Sequence, residues 1–318
     1  MQRYIIQRVV LVVPTLIIVS FLVFFLVRVM PGDYVHAKLG DIAYTPEEAQ
    51  ELRHRLGLDR PIYHQYAIWI GGILRGDLGE SLITRESVRS ELGERVEVTL
   101  ELGALSLIFT VLIGVPIGVL AAVRRDSLLD YVLRSVAILG LAIPGFWIAI
   151  VVLVYASIWF GWSPPIIYQR FTDDPSSNMQ QFLLPAAIMA LGAAAVVMRM
   201  TRSMVLEVLG QDYVRTARAK GLREVVVLVR HALRNALIPV VTILGVSVAS
   251  LLGGTVIFEN IFALPGVGRY MIQAVAARDY PVVEGVSLAL TVGIVLVNLV
   301  VDVSYSLLDP RIRFRTEG

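Results

Sequence analysis

The chain has 318 residues, 56% hydrophobic and only 17% charged, and with a mean hydropathy of +0.72 it is too apolar for an ordinary soluble domain. A formal net charge of +2 says little, because the placement of charge between spans matters more than its sum. Cysteine is absent, which excludes disulfides, thiolate metal sites and cysteine nucleophiles.

The N-terminus carries Arg3 and Arg8 and runs into an apolar stretch from Val9 to Val29. At about 20 residues this exceeds a signal-peptide core, and no small-residue cleavage pattern follows, so a retained first span is expected. Five further stretches can cross a hydrocarbon layer as helices: Val98 to Val123, Tyr131 to Phe160, Phe182 to Met204, Ala236 to Phe258 and Val282 to Leu308. Helices are required because lipid satisfies no free backbone groups. The expected fold is therefore an all-α integral membrane protein with a six-helix bundle. Putting Arg3 and Arg8 in the cytosol places Arg124, Arg125, the Arg199 to Arg234 region and the arginines of the tail on the same side.

The segment 31–97 is expected outside the membrane and helical. Thr45-Pro46-Glu47-Glu48 reads as a helix start, with a threonine cap, proline at the first position and acids in the first turn; that helix would stop at Gly57. Tyr63 to Leu74 reads as a second amphipathic helix ending at Gly76. The membrane core then runs over 98–308, followed by a cytosolic tail, 309–318.

Within the core, the loop 205–235 holds Arg215, Arg218, Lys220, Arg223, Arg230 and Arg234, opposed within Gln211 to Pro239 only by Asp212 and Glu224. Such a segment cannot sit in hydrocarbon. Asp212, Tyr213, Val214, Arg215, Thr216, Ala217, Arg218, Ala219 and Lys220 form a short amphipathic helix in this reading, and Gly221 supplies the left-handed stop. A second short helix would start at Glu224 and end near Arg230 and Arg234, with Pro239 opening the next span. One reading is a basic loop obeying the positive-inside rule; the other is a helix that docks in a groove on a cytosolic partner, which explains its apolar positions.

The two runs Tyr213-Val214-Arg215-Thr216-Ala217-Arg218-Ala219-Lys220-Gly221 and Arg230 to Pro239 resemble the coupling loop of ABC importer permeases, nearest to the B-type subunit of the dipeptide/oligopeptide (peptide/nickel) family. Arg215-Thr216-Ala217 stands where the general pattern has Glu-Ala-Ala, and Gly221 to Pro239 is longer than the short form, as in the peptide branch. Pro31-Gly32-Asp33 after the first span resembles the same branch. The likeness implies the type I permease fold and a bacterial or archaeal cytoplasmic membrane. It also implies a second, related permease subunit, two ATP-binding subunits carrying ATP and magnesium, and an external solute-binding protein or lipoprotein. The cargo it implies is a short peptide, with nickel chelates, glutathione or oligosaccharides in some branches. Membrane lipid is the surroundings, and no nucleic acid is expected.

Between the last two spans, 259–281 contains Pro265, Gly266 and Gly268 in an apolar setting. A surface loop and a re-entrant hairpin both suit that chemistry; the resemblance implies the hairpin, facing the transport path, with Phe258, Glu259, Asn260, Phe262, Leu264, Pro265, Gly266 and Gly268 as its candidate residues. Asn298, Asp302 and Tyr305 share one face of the last span, as pathway groups or as ordinary interhelical and interfacial ones. Arg28 reads as snorkelling at an outer end and Arg199 and Arg202 as inner anchors. Small residues at Gly192 to Ala195 and at Gly245 to Gly254 read as close-approach sites between helices.

Neither lysine ends a phosphate-cradling loop, the four histidines show no metal spacing, and there is no nucleophile elbow. No catalytic or metal site is expected. A subunit that borrows its energy from ATPase partners is the favoured function; a stand-alone secondary transporter or channel is the alternative, and it should show buried coupling charges or inverted repeats.

Overall fold

The structure, a computed structural model, describes residues 2–29, 45–55, 59–165 and 167–308. It is helical: α1 (Gln2–Val29), α2 (Pro46–Arg55), α3 (Ile62–Leu74), α4 (Val88–Val123), α5 (Leu128–Ala142), α6 (Gly145–Phe160), α7 (Pro175–Leu209), α8 (Asp212–Ala219), α9 (Glu224–Ile261), α10 (Val267–Ala276) and α11 (Tyr280–Leu308). Among the described residues the only β pairing is an isolated bridge between Glu80 and Ser87. Five helices are long and apolar enough to cross a membrane, and α5 with α6, bent by 95°, can make a sixth span.

That bend corrects the expectation of one helix from Tyr131 to Phe160. Ile143 is extended (φ −92°, ψ 124°) because proline disfavours helical geometry in the residue before it, and Pro144 is extended as well (φ −61°, ψ 129°). Pro14, Pro116, Pro185 and Pro239 are all accommodated inside helices. The presence of proline alone therefore does not decide where a span breaks.

The chain divides into two compact units, one built on Thr99–Leu264 with the stretch from Val297, the other on Gln2–Val98 with Pro265–Leu296. In the first, α7 supplies more buried residues than any other helix. Asp174 caps it, accepting from the Ser176 and Ser177 amides at 3.1 Å each, and Pro175 takes the first-turn position where no amide is needed. Gly114 and Gly118 of α4 let that helix close on α7: a β-carbon at Gly114 would meet the Ala194 carbonyl at 2.9 Å, and one at Gly118 would meet the Met198 carbonyl at 2.6 Å. Only glycine permits this approach. A β-carbon at Gly192 or Gly253 would meet nothing within 4 Å in this chain, so within the expected Gly192 to Ala195 cluster the close approach is made at Ala194, against Gly114, and not at the glycine.

In the second unit, α2 begins with a reciprocal cap. Thr45 Oγ1 accepts from the Glu48 amide at 3.2 Å and Glu48 Oε2 accepts from the Thr45 amide at 2.8 Å. Its expected stop at Gly57 lies outside the described residues. The turn after α3 places Gly76 at φ +84°, as expected of its glycine. Val27, Leu82, Val88, Leu92, Val267, Tyr270, Val282, Val283 and Val286 form the core here. Asp279 ties the loop before α4 to the start of α11, accepting from Ser81 Oγ at 2.5 Å and from the Leu82 amide at 3.1 Å.

Candidate partner-docking site

The helix α8 owes its position to two side chains. Val214 and Ala217 are buried, one turn apart, against Val227 of α9 and Val208 and Leu209 at the end of α7. Asp212, Tyr213, Arg215, Thr216, Arg218, Ala219, Lys220 and Gly221 are exposed. The helix stops by a paired motif: the Leu222 amide reaches the Ala217 carbonyl at 3.4 Å and the Gly221 amide reaches the Arg218 carbonyl at 2.9 Å. This requires a left-handed residue, and Gly221 has φ +74°.

Polar contacts fix α8 against α9. Arg218 grips Glu224 with Nε at 3.1 Å and Nη2 at 2.6 Å, spanning the glycine turn, and the carboxylate raises the guanidinium above its ordinary value. Tyr213 Oη accepts from Asn235 Nδ2 at 2.9 Å. The Arg215–Asp212 pair, 3.4 Å apart, is open to solvent and contributes little. Around this frame Tyr213, Leu222, Val225, Val226 and Val229 present apolar surface, with Val225 68% exposed, beside the exposed cations Arg215, Lys220, Arg223, Arg230 and Arg234. Five exposed apolar side chains on this support form a surface of the kind a partner groove can cover.

The expected second short helix is not separate. From Glu224 the chain continues without a break to Ile261, passing through a wide π turn at Val227–Leu233, so neither Arg234 nor Pro239 marks a boundary. The physical reason lies in the inward positions. Val227, Ala232, Ala236 and Val240 are all buried, and the five-residue step from Val227 to Ala232 suits the wider turn, which keeps the stripe on one face.

Of the residues expected in the re-entrant segment, Phe258 and Glu259 close α9 as buried side chains, while Asn260 is exposed. Glu259 is fully buried and accepts from Thr99 Oγ1 at 2.7 Å. Phe258 and Phe262 stack with centroids 6.4 Å apart. The turn after α9 uses the same paired stop as α8, with Leu264 reaching the Glu259 carbonyl at 2.9 Å, but Ala263 takes the left-handed place at φ +56°. Pro265 follows, Gly266 caps α10 and Gly268 is buried within it. Asn298 is exposed on α11; Asp302 lies one turn on, and its side chain, like that of Tyr305, is outside the described residues. Among the described residues no three acids or histidines gather as a metal site.

The fold gives Arg202 and Arg28 acidic partners, Asp130 and Glu284, for which the sequence suggested no role. Asp130, fully buried, receives Arg202 Nε and Nη2 at 2.7 Å each, so Arg202 is half of a buried fork and not a free anchor. Arg28 is not snorkelling alone: it pairs with buried Glu284, reaches Gln65 at 3.2 Å and lies 3.3 Å from the Phe24 ring centroid. The Ser127-Leu128-Leu129-Asp130 cap pattern was a usable signal for Asp130, and an acid within an apolar span was one for Glu284. Nothing in sequence spacing pointed to their arginine partners.

A match to the family described as binding-protein-dependent transport system inner membrane component covers residues 114–314, and a match to the N-terminal region of such components covers residues 1–103. The chain belongs to this family. As an inner membrane component it is a multi-pass membrane protein and a permease, not a catalytic subunit, and the alternative of a stand-alone secondary transporter or channel is set aside. It is 40% identical over 340 residues to the dipeptide transport system permease protein DppB of Escherichia coli K12, covering 99% of this chain and all of that one. It is 41% identical over 333 residues to the di/tripeptide transport system permease protein DppB of Pseudomonas aeruginosa UCBPP-PA14, covering 98% and 99%. A solved inward-facing MetNI methionine ABC transporter chain superposes with a TM-score of 0.53 at 19% identity, over 69% of this chain and 96% of that one, and at that identity the likeness concerns the permease fold.

Proposed function

We propose that this permease forms, with a second related permease subunit, the path by which short peptides are imported, and that α8 receives the force of ATP hydrolysis from a cytosolic ATPase partner. The observation that carries the second part is the apolar patch Leu222, Val225, Val226 and Val229 beside α8, held rigid by the buried Val214, Ala217 and Val227. Asp212 to Gly221 are the contact residues in this reading, with Tyr213 and the cations around the patch. Arginine placement supports putting α8 and both termini on the cytosolic side. ATP and magnesium belong to the partner, and an external solute-binding protein delivers the cargo. The names of the DppB relatives support di- and tripeptides as that cargo.

The turn from Phe258 through Gly268 is proposed to border the path, and Asn298 and Asp302 are further candidates for it. The whole proposal is tested in proteoliposomes holding the complete importer, supplied with ATP and labelled dialanine. Uptake should be ATP-dependent, and Leu222→Asp with Val225→Asp should abolish it by weakening ATPase co-purification. Full uptake and co-purification by that double variant would refute the docking role.

A further inference from the structure

Asp130 has two suitors. It stands in the first turn of α5, capped by Ser127, where Oδ2 also accepts from the Asp126 amide at 3.1 Å. Its carboxylate is held across the unit by the Arg202 fork of α7, while Arg134, one turn along α5, brings its Nε to 3.4 Å from Oδ1. That Nε is buried and makes no hydrogen bond. An unsatisfied buried guanidinium nitrogen beside an occupied carboxylate is costly, and it has an obvious remedy: the carboxylate turning from one arginine to the other.

The position of this group gives the exchange a consequence. On α7 the residue one turn beyond Arg202 is Val205, fully buried with Ala122 and Ala236. One turn further, Val208 and Leu209 form the floor under Val214 and Ala217 of α8. Packing is thus continuous from α8, along the end of α7, to Arg202 and through the fork to α5, whose other end is the bend at Pro144. Packed elements of this kind rearrange between discrete states and do not deform smoothly.

We propose that Asp130 is a two-position latch: paired with Arg202 it binds α5 to α7, and paired with Arg134 it releases α5, so that movement received at α8 repositions the bent α5–α6 pair. Asp130, Arg202 and Arg134 are positioning residues; none touches cargo. The latch rests on the proposed docking of an ATPase partner at α8. Its distinctive consequence is that the two arginines have opposite effects, which a plain stabilising role would not give.

The test uses the complete importer in proteoliposomes, measuring labelled dialanine uptake and ATP hydrolysis together. Arg202→Gln favours the released state and should leave ATP hydrolysis near or above wild type while uptake per ATP falls about tenfold. Arg134→Gln favours the bound state and should slow both rates about tenfold with uptake per ATP preserved. Equal losses of both quantities in both variants, or unchanged coupling in both, would overturn the latch. If Arg202→Gln does not assemble, Asp130→Asn combined with Arg202→Gln removes the acid with its fork partner; it should assemble and be uncoupled, and failure to assemble would assign the group a purely folding role. Val225→Asp on the patch is the separate control. If it leaves uptake per ATP and co-purification untouched, the docking reading fails, whatever the arginine pair shows.

Discussion

Gly118 and Thr201 meet where α4 crosses α7, so closely that a β-carbon on the glycine would stand 2.7 Å from the threonine Cβ and 2.6 Å from the Met198 carbonyl. The backbone carbonyl cannot move aside as a flexible side chain could. Gly118→Ala is expected to destabilise the permease by about 1–3 kcal/mol through overpacking. Gly93→Ala, in the same helix with nothing within 4 Å of its β-carbon, should be neutral or gain up to about 1 kcal/mol from helix propensity. Thermal unfolding of the detergent-purified chain distinguishes them, and equal melting temperatures would contradict the packing described.

Gly221 presents the complementary case. Nothing lies within 4 Å of its β-carbon position, so only its φ of +74° resists a side chain. Gly221→Val should cost roughly 1–2 kcal/mol locally and misplace α8, whereas Gly221→Asn should be tolerated, because asparagine visits the left-handed region. The expected outcome in the reconstituted importer is loss of uptake per ATP hydrolysed for valine, with insertion intact, and near-normal coupling for asparagine. Equal behaviour of the two would remove the conformational explanation.

Arg28 and Glu284 give a third prediction. Glu284 is buried and Arg28 is mostly covered, so removing the arginine alone strands an acid: Arg28→Leu should cost about 3–5 kcal/mol. Adding Glu284→Leu should recover most of that loss, since two apolar residues leave no charge uncompensated. Protease sensitivity of Gln2–Val98 reports on this unit, and a double variant as labile as the single one would show that the pair does more than neutralise itself.

Asp174 supplies a pH dependence. Its carboxyl lies below the ordinary 3.8 chiefly because Ser177 Oγ donates to it, at 2.6 Å, with help from the Ser177 and Ser176 amides. A depressed acid favours the folded state above its unfolded value, and that contribution disappears as pH falls through the lower folded value. Wild type should therefore lose melting temperature relative to Asp174→Asn as pH drops below 3.8, because asparagine also caps helices but does not titrate there. Parallel pH profiles would argue against the cap.

The span pattern was readable in advance wherever apolar length alone decides it, and the boundaries of α11, expected from Val282 and found from Tyr280, differ by two residues. Capping chemistry was equally local: Thr45 with Glu48, and Gly221 at its stop, behave as their neighbours dictate. The π turn was not readable. Its buried five-residue step from Val227 to Ala232 makes sense only once α7 and α8 are known to press on that face.

What the chain's own composition determined is the solvent it lives in and the form it must take there: long apolar runs demand helices that satisfy their own backbone groups where lipid cannot. Which proline breaks a span has a local cue, since Gly145 follows Pro144 where Ile117, Ala186 and Val240 follow Pro116, Pro185 and Pro239, but the 95° bend there belongs to the tertiary structure. Tertiary structure also decided that Asp130 meets Arg202, 72 residues away, and that Glu284 meets Arg28, 256 residues away. Charges so far apart along the chain carry no local signature; burial makes their pairing obligatory, and only the packed helices determine which partner each acid finds.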